Sequence, residues 1–142
     1  MLYKSNSPKE TQNIAKAFAK TLKPGDVLAL SGDLGVGKTA FVQGLAEALG
    51  VPEPISSPTF TIVNCYSAKY PIYHFDVYRI DNSEEMYDIG YEEYVYSEGI
   101  TIIEWAEKIA DILPKKRYNI TITKDYEKDD DFRYIEIERF GY

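Results

Sequence analysis

The chain has 142 residues, of which 44% are hydrophobic and 27% charged, and a formal net charge of −7. The sequence pI of about 4.8 indicates that the chain does not bind a nucleic-acid backbone by itself, because such binding needs a basic face. The single cysteine, Cys65, excludes an internal disulfide, and no apolar run reaches the roughly 18 residues of a membrane-spanning helix. These properties predict a single cytoplasmic domain over residues 1–142, with no membrane partner.

The N-terminal third predicts a helix, a buried strand and a second helix. Ser7, Pro8 and Glu10 predict a helix start with a capping box. One apolar face then follows, formed by residues that recur every four positions and by two alanines beside them: Ile14, Phe18 and Leu22, with Ala15 and Ala19. After a turn at 23–26, the apolar run 27–30 is typical of a strand covered on both faces. One face of the second helix is also apolar: Phe41, Leu45 and Leu49.

The rest of the chain predicts further strands with two short helices among them. Strands are expected at 60–66, 72–78 and 100–103, and helices at 82–88 and 106–113. Two last strands, expected as exposed sheet edges, are indicated on either side of an acidic turn by Ile120 and Ile122, then Tyr134, Ile135 and Ile137. The pattern predicts one α/β domain with a largely parallel central sheet and an antiparallel C-terminal hairpin.

Between the buried strand and the second helix, Gly32–Thr39 reads GDLGVGKT and matches the phosphate-binding pattern G-x-x-x-x-G-K-[ST]. Its glycines let backbone N–H groups turn toward phosphate oxygens, and the following helix adds its positive dipole end. Lys38 is the cation for the β and γ phosphates, and the Thr39 hydroxyl is placed to bind Mg²⁺. Further nucleotide contacts are expected at Asp33, Gly35, Val36, Gly37 and Ala40. The motif predicts a P-loop NTPase-like, three-layer domain that uses ATP and Mg²⁺.

Hydrolysis also needs a carboxylate opposite Thr39, at the end of a neighbouring buried strand. Asp76 and Glu104 both qualify, since each follows an apolar run, and the usual residue type at such a position slightly favours Asp76. Strand alternation places His74 and Tyr78 on the same face as Asp76, which is the pattern of a site lining. The alternative is that Asp76 and Glu104 are helix-capping or surface carboxylates and that His74 is a structural residue.

Two other positions have both a functional and a plain interpretation. Thr59 lies in the loop Ser57–Thr61 and is placed to sense Mg²⁺ and the γ-phosphate, ordering that loop with ATP. The alternative is a proline-rich segment that simply leads into a strand. Arg79 is suited to pair either with a phosphate or with a neighbouring carboxylate.

Four segments, in their order and spacing, resemble the TsaE family (formerly YjeE), the ATPase component of bacterial tRNA threonylcarbamoyladenosine synthesis. They are GDLGVGKT at 32–39, SPTFT at 57–61, HFDVYR at 74–79 and EW at 104–105. The resemblance covers almost the whole chain, and the last stretch is its least distinctive part. The combination is far more specific than the phosphate-binding pattern alone.

The resemblance implies a role for each matching residue. Lys38 and the loop glycines would hold the ATP phosphates, while Thr39 and Glu104 would hold Mg²⁺. Thr59 would be the switch threonine, and Asp76 would support hydrolysis by orienting water. Contacts with the nucleotide are also implied at Thr11, Trp105 and Arg133. For Trp105, a partner surface and plain core packing are the alternatives.

The resemblance also implies partners. The chain would bind the heterodimer of TsaD and TsaB, and would meet tRNA only through that complex. TsaD transfers a threonylcarbamoyl group to adenosine 37 of tRNA, and ATP hydrolysis by this chain would permit repeated turnover. The group transfer itself would not occur here. The acidic composition is compatible with this division of labour.

Three other kinds of protein use a phosphate-binding loop. A small-molecule kinase needs a lid with arginines, but no basic residue lies between Arg79 and Met86. A GTP-binding switch places an aspartate three residues before a glycine and carries an N-K-x-D or T-K-x-D motif, and the sequence has neither. A binding module that holds nucleotide without hydrolysis would be distinguished by whether Asp76→Ala abolishes turnover while ATP still binds.

Overall fold

The computed structural model describes residues 1–32, 37–55 and 62–141, in which seven strands form one mixed sheet. The strands are β1 (Leu2–Ser5), β2 (Val27–Ser31), β3 (Val63–Tyr66), β4 (Ile72–Asp76), β5 (Ile100–Glu104), β6 (Arg117–Lys124) and β7 (Arg133–Phe140). The helices are α1 (Pro8–Ala19), α2 (Lys38–Ala48), α3 (Glu85–Asp88) and α4 (Tyr91–Val95), with a 3₁₀ segment at Ala106–Ile112.

The strand order is β1-β7-β6-β2-β5-β4-β3. The central strands β4, β5, β2 and β6 are parallel to one another, while β3, β7 and β1 run antiparallel to their neighbours. The predicted α/β class, with a parallel centre and an antiparallel C-terminal hairpin, is therefore confirmed.

The prediction that both hairpin strands are exposed edges is wrong. β6 pairs with β2 on its other side, and β7 is covered by β1. The sequence analysis missed β1 because four residues with one buried position carry almost no periodic signal. Pairing with β7, rather than local propensity, makes this segment a strand.

Two apolar layers lie on opposite faces of the sheet. Leu28 and Leu30 of β2 pack with α1 and α2, while Val27 and Ala29 pack with α3, α4 and the 3₁₀ segment. Because consecutive strand residues point to opposite faces, a wholly apolar strand is what a sheet covered on both sides requires. The three-layer arrangement agrees with the prediction.

Helix α1 begins as predicted. Ser7 Oγ accepts a hydrogen bond from the Glu10 amide at 3.1 Å, and the Glu10 carboxylate accepts one from the amide of Asn6. The predicted apolar face is the one that packs, since Ala15, Ala19 and Leu22 are buried and Ile14 and Phe18 are partly buried against the same core. The buried residues of α1 itself, Thr11, Ala15 and Ala19, form a line of small side chains. Small side chains along this line let α1 approach α2 closely.

Gly44 of α2 lies in close contact with α1. A Cβ built on Gly44 would lie 2.5 Å from the Gln12 carbonyl oxygen and 3.0 Å from Ala15 Cβ. We expect Gly44→Ala to lower the free energy of unfolding by about 1–3 kcal/mol, because overpacking outweighs the better helix propensity of alanine. Urea unfolding measures the change, with Gln43→Ala on the exposed side of α2 as the control. A Gly44→Ala protein as stable as the wild type would contradict this packing.

The short elements differ from the predictions in their bounds. The helix expected at 82–88 begins only at Glu85, because Asn82 Oδ1 accepts from the Glu84 amide in a turn that precedes it. The helix expected at 106–113 is the 3₁₀ segment, and α4 was not predicted. β4 ends at Asp76 rather than at residue 78. β3 begins at Val63, and of the residues predicted before it Ile62 lies outside the strand while residues 60 and 61 are outside the described part. Among the residues that the structure describes, no helix is long and apolar enough to cross a membrane.

Candidate functional site

The predicted site residues meet where the parallel strands end. Leu30 near the end of β2 is the neighbour of Glu104 at the end of β5, and Glu104 is the neighbour of Asp76 at the end of β4. Gly32 follows β2 directly, and α2 starts at Lys38. The carboxyl ends of parallel strands form the usual crevice for ligands in open α/β sheets.

At the start of α2, the residue in the capping position is a glycine, which has no side chain to bond the first backbone N–H groups. Gly37, the residue before the helix, has φ of 105°, and a Cβ placed there would meet nothing within 4 Å among the described residues. Thr39 is exposed and Ala40 half-buried in the first turn. The predicted contacts Asp33, Gly35 and Val36 lie outside the described residues.

Lys38 is the only buried lysine or arginine among the described residues, with 5% of its surface exposed. Its Nζ donates to the Gly32 carbonyl oxygen at 2.5 Å and lies 3.2 Å from the centroid of a Trp105 ring. Both contacts suit an ammonium group withdrawn from water, since the carbonyl and the ring face are each electronegative. The Lys38 side chain therefore reaches back to Gly32, the first residue of the phosphate-binding motif.

Trp105 has an unusual backbone conformation. Its φ of 63° makes it the one non-glycine residue with positive φ in the described part of the chain. Its ring also packs 4.8 Å from the ring of Tyr78, whose carbonyl oxygen accepts a hydrogen bond from Lys108. A left-handed tryptophan costs about 1–3 kcal/mol, and such conformations cluster at functional sites. The geometry places Trp105 against Lys38 rather than wholly within the core.

Glu104 is 4% exposed and on the same face of the sheet as the buried Ile100 and Ile102. Its Oε2 lies 2.5 Å from Nε2 of His74, which is 1% exposed. Sequence analysis put His74 beside Asp76 and missed this contact with Glu104. A signal was present, since His74 and Glu104 are polar residues on the strand face that also carries the buried Ile72, Ile100 and Ile102.

Asp76 is half-buried, and its Oδ1 accepts from the Tyr78 amide at 3.1 Å in a tight turn. Its own amide donates to the Ile62 carbonyl oxygen at 3.0 Å, so the segment that leads into β3 lies alongside. Thr59, three residues earlier, is outside the described residues, whereas Arg79 is exposed. The two candidate carboxylates thus differ, because Asp76 is partly accessible while Glu104 is buried and paired.

Thr11 and Arg133 lie on a different part of the same sheet edge. Thr11 is 2% exposed, and its Oγ1 is 2.8 Å from Ser5 Oγ. Ser5 in turn pairs with Arg133 at the start of β7, and the Arg133 guanidinium donates to the carbonyl oxygens of Asp130 and Phe132. The structure brings these two residues near each other, and their contact with a nucleotide stays a prediction.

Comparison with known proteins identifies the family. The model of the TsaE family, described as threonylcarbamoyl adenosine biosynthesis protein TsaE, matches residues 5–133. The chain belongs to the TsaE family. A TsaE from Bacillus subtilis is 46% identical over 123 residues, which is 86% of this chain and 77% of the relative. A TsaE from Treponema pallidum is 43% identical over 119 residues, covering 84% and 87%.

A solved structure agrees with the family assignment. The crystal structure of Bacillus subtilis YdiB superposes with a TM-score of 0.81 at 40% identity, over 99% of this chain and 86% of that one. The span matched by the TsaE model includes every residue predicted here for the site, from Thr11 to Arg133. The likeness therefore extends over the whole candidate site and is not confined to the phosphate-binding motif.

Proposed function

We propose that this chain is a Mg²⁺-dependent ATPase of tRNA threonylcarbamoyladenosine synthesis, which binds the TsaD–TsaB heterodimer and supports its repeated turnover. The observation that carries the proposal is the position of Lys38. A buried ammonium group stands at the open start of a helix, at the strand edge that also holds Asp76 and Glu104. Membership of the TsaE family supplies the biological setting.

Phosphate binding follows from the groups at the start of α2. The first backbone N–H groups of α2, which the side chain-free Gly37 does not cap, and the positive end of the helix dipole favour an anion there. The Lys38 ammonium group already lies beside the first residue of the motif, Gly32, and its flexible four-carbon stem lets it turn toward a phosphate. The loop residues Asp33, Gly35 and Val36 would add their backbone groups. ATP is therefore the proposed nucleotide, and a GTP-specific motif is absent from the sequence.

The residues present fit a magnesium ion that is bound together with nucleotide. No group of three or more His, Cys, Asp or Glu within residues 1–32, 37–55 and 62–141 could hold a metal alone. Mg²⁺ at a nucleotide site needs only one or two protein oxygens, because phosphates and water supply the others. Thr39 and Glu104 would be those protein ligands. When bound, the ion would neutralise charge on the phosphate oxygens.

Asp76 is the proposed residue for water. Its Oδ1 is engaged by the Tyr78 amide, which fixes the carboxylate, and its Oδ2 is not part of that bond. A carboxylate so held can accept a hydrogen bond from water and direct the water oxygen at the γ-phosphorus. The new P–O bond would form as the bond to ADP breaks, and the water proton would pass to the phosphate product. Thr59 would order its loop around the γ-phosphate.

Partner control of turnover is a testable part of the proposal. No arginine is described within the start of α2 or the strand ends that flank it, apart from the exposed Arg79. We expect slow phosphate release from the isolated chain and at least tenfold faster release with TsaD and TsaB, because a partner would order or complete the site. A phosphate-release assay with each partner alone and with both measures this. Equal rates with and without the heterodimer would contradict the proposal.

The biological role needs a separate measurement. The assay incubates an excess of tRNA with a small amount of TsaD and TsaB and measures threonylcarbamoyladenosine by mass spectrometry. More than one modified tRNA per TsaD should form only when this chain and ATP are present. The matched control is the Lys38→Met protein, which lacks the cation at the start of α2. If the Lys38→Met protein supports as much tRNA modification as the wild type, the proposal that ATP hydrolysis by this chain permits repeated turnover is contradicted.

A further inference from the structure

His74 is the buried polar residue of the site to which no role has been given above. It is the only histidine of the chain and lies in the middle of β4. Its Nε2 contacts Glu104, but its Nδ1 is buried without a hydrogen-bond partner in the described part of the chain. A buried imidazole that is only half satisfied contributes little to stability. Its contact with Glu104 is therefore the feature that needs explanation.

The direction of that hydrogen bond follows from the groups. In the ionised form that binds a cation, the Glu104 carboxylate can only accept, so in that form the donor is His74 Nε2–H and the acceptor is Glu104 Oε2. Both side chains project from the same face of adjacent parallel strands, and His74 stands opposite Ile102, two residues before Glu104. The donor therefore reaches the carboxylate from the side of β4 and leaves Oε1 outside the bond.

A glutamate needs such a restraint more than an aspartate does. Its side chain has three rotatable bonds, and a ligand that is free to rotate loses entropy when it binds a metal. A ligating carboxylate is normally held by a hydrogen bond from outside the metal's own ligands, and loss of that bond lowers metal affinity about 10- to 100-fold. The 2.5 Å contact is the one hydrogen bond that the described residues provide to the Glu104 carboxylate.

We propose that His74 is a positioning residue, whose Nε2–H holds Glu104 in the orientation that binds the magnesium ion of Mg²⁺-ATP. This inference rests on the proposed function, since it assigns Glu104 to that ion. His74 does not touch the nucleotide or the reacting atoms in this role. Its loss should therefore weaken the magnesium-dependent part of ATP binding and leave the magnesium-independent part unchanged.

The test compares His74→Gln with His74→Asn. The glutamine amide nitrogen can take the place of Nε2, whereas the shorter asparagine places its amide near the position of Nδ1 and cannot reach Glu104. ATP affinity is measured by calorimetry for each protein, in Mg²⁺ and in EDTA. The enhancement is the ratio of the ATP affinity in Mg²⁺ to the affinity in EDTA. We expect this ratio to be about tenfold smaller for His74→Asn than for the wild type, and nearly unchanged for His74→Gln. In EDTA the three proteins should bind alike.

Two controls separate the possible failures. Phe75→Leu removes packing from the other face of β4 and should lower the unfolding temperature without changing the enhancement by Mg²⁺. Glu104→Gln should remove most of the enhancement. If Glu104→Gln binds like the wild type, the proposed magnesium site itself fails. If Glu104→Gln behaves as expected but His74→Asn keeps the full enhancement, or loses affinity equally in EDTA, the role of His74 is overturned.

Discussion

Replacing Lys38 by methionine should weaken ATP binding roughly 10- to 100-fold, because a hydrogen bond to a charged group contributes about 1.5–3 kcal/mol. Turnover should fall further, by about 100- to 1000-fold, since charge on the transferred phosphoryl group is stabilised most in the transition state. Methionine has nearly the same length as lysine and carries no charge. Calorimetry measures the binding, and a phosphate-release assay measures the turnover.

The burial of Lys38 makes this variant informative about stability as well. An ammonium group with 5% exposure is largely withdrawn from water, so an apolar side chain in its place should not destabilise the nucleotide-free protein. We expect the same unfolding temperature without ATP and a smaller upward shift with ATP. Lys16→Met, which removes the cation of the Lys16–Glu47 pair, is the control and should bind ATP normally. A Lys38→Met protein with wild-type affinity would contradict the proposed phosphate site.

The central part of the fold could be predicted because its signals are local. The apolar run of β2 and the four-residue spacing in α2 follow directly from burial on a sheet covered on both faces. The hairpin's position could not be predicted, because pairing between β1 and β7 joins residues from opposite ends of the chain. Sequence periodicity indicates which face of a strand is buried but not which strand lies beside it.

For the site as well, local signals could be predicted, whereas contacts between distant segments could not. The motif indicated Lys38 as a phosphate ligand, and strand ends indicated Asp76 and Glu104 as carboxylates. Neither signal could reveal that Lys38 lies against Trp105 or that His74 bonds to Glu104, since both contacts depend on the order of strands β4, β5 and β2. The proposed division, with Glu104 for magnesium and Asp76 for water, can be tested by one substitution.

Replacing Asp76 by asparagine addresses that choice directly. Asparagine keeps an oxygen that can accept from the Tyr78 amide, so the turn should persist while the negative charge is lost. We expect turnover to fall about 100-fold or more, because an acceptor that orients or deprotonates water typically contributes that much. ATP affinity in Mg²⁺ should change less than about threefold, which is under about 1 kcal/mol, because in this role Asp76 contacts water and not the ion or the phosphates. Single-turnover phosphate release and calorimetry give the two quantities.

The magnesium concentration separates the two roles of a carboxylate. If Asp76 orients water, saturating Mg²⁺ will not restore turnover to the Asp76→Asn protein, and the apparent affinity for Mg²⁺ will be that of the wild type. If Asp76 is instead the carboxylate that binds the ion, high Mg²⁺ will recover much of the rate, and Glu104→Gln will show the smaller effect. Asp81→Asn, which replaces an exposed aspartate five residues further along the chain, should leave both quantities unchanged. The buried, paired state of Glu104 and the half-exposed state of Asp76 favour the first outcome, because a fixed ligand suits the ion and an accessible acceptor suits water.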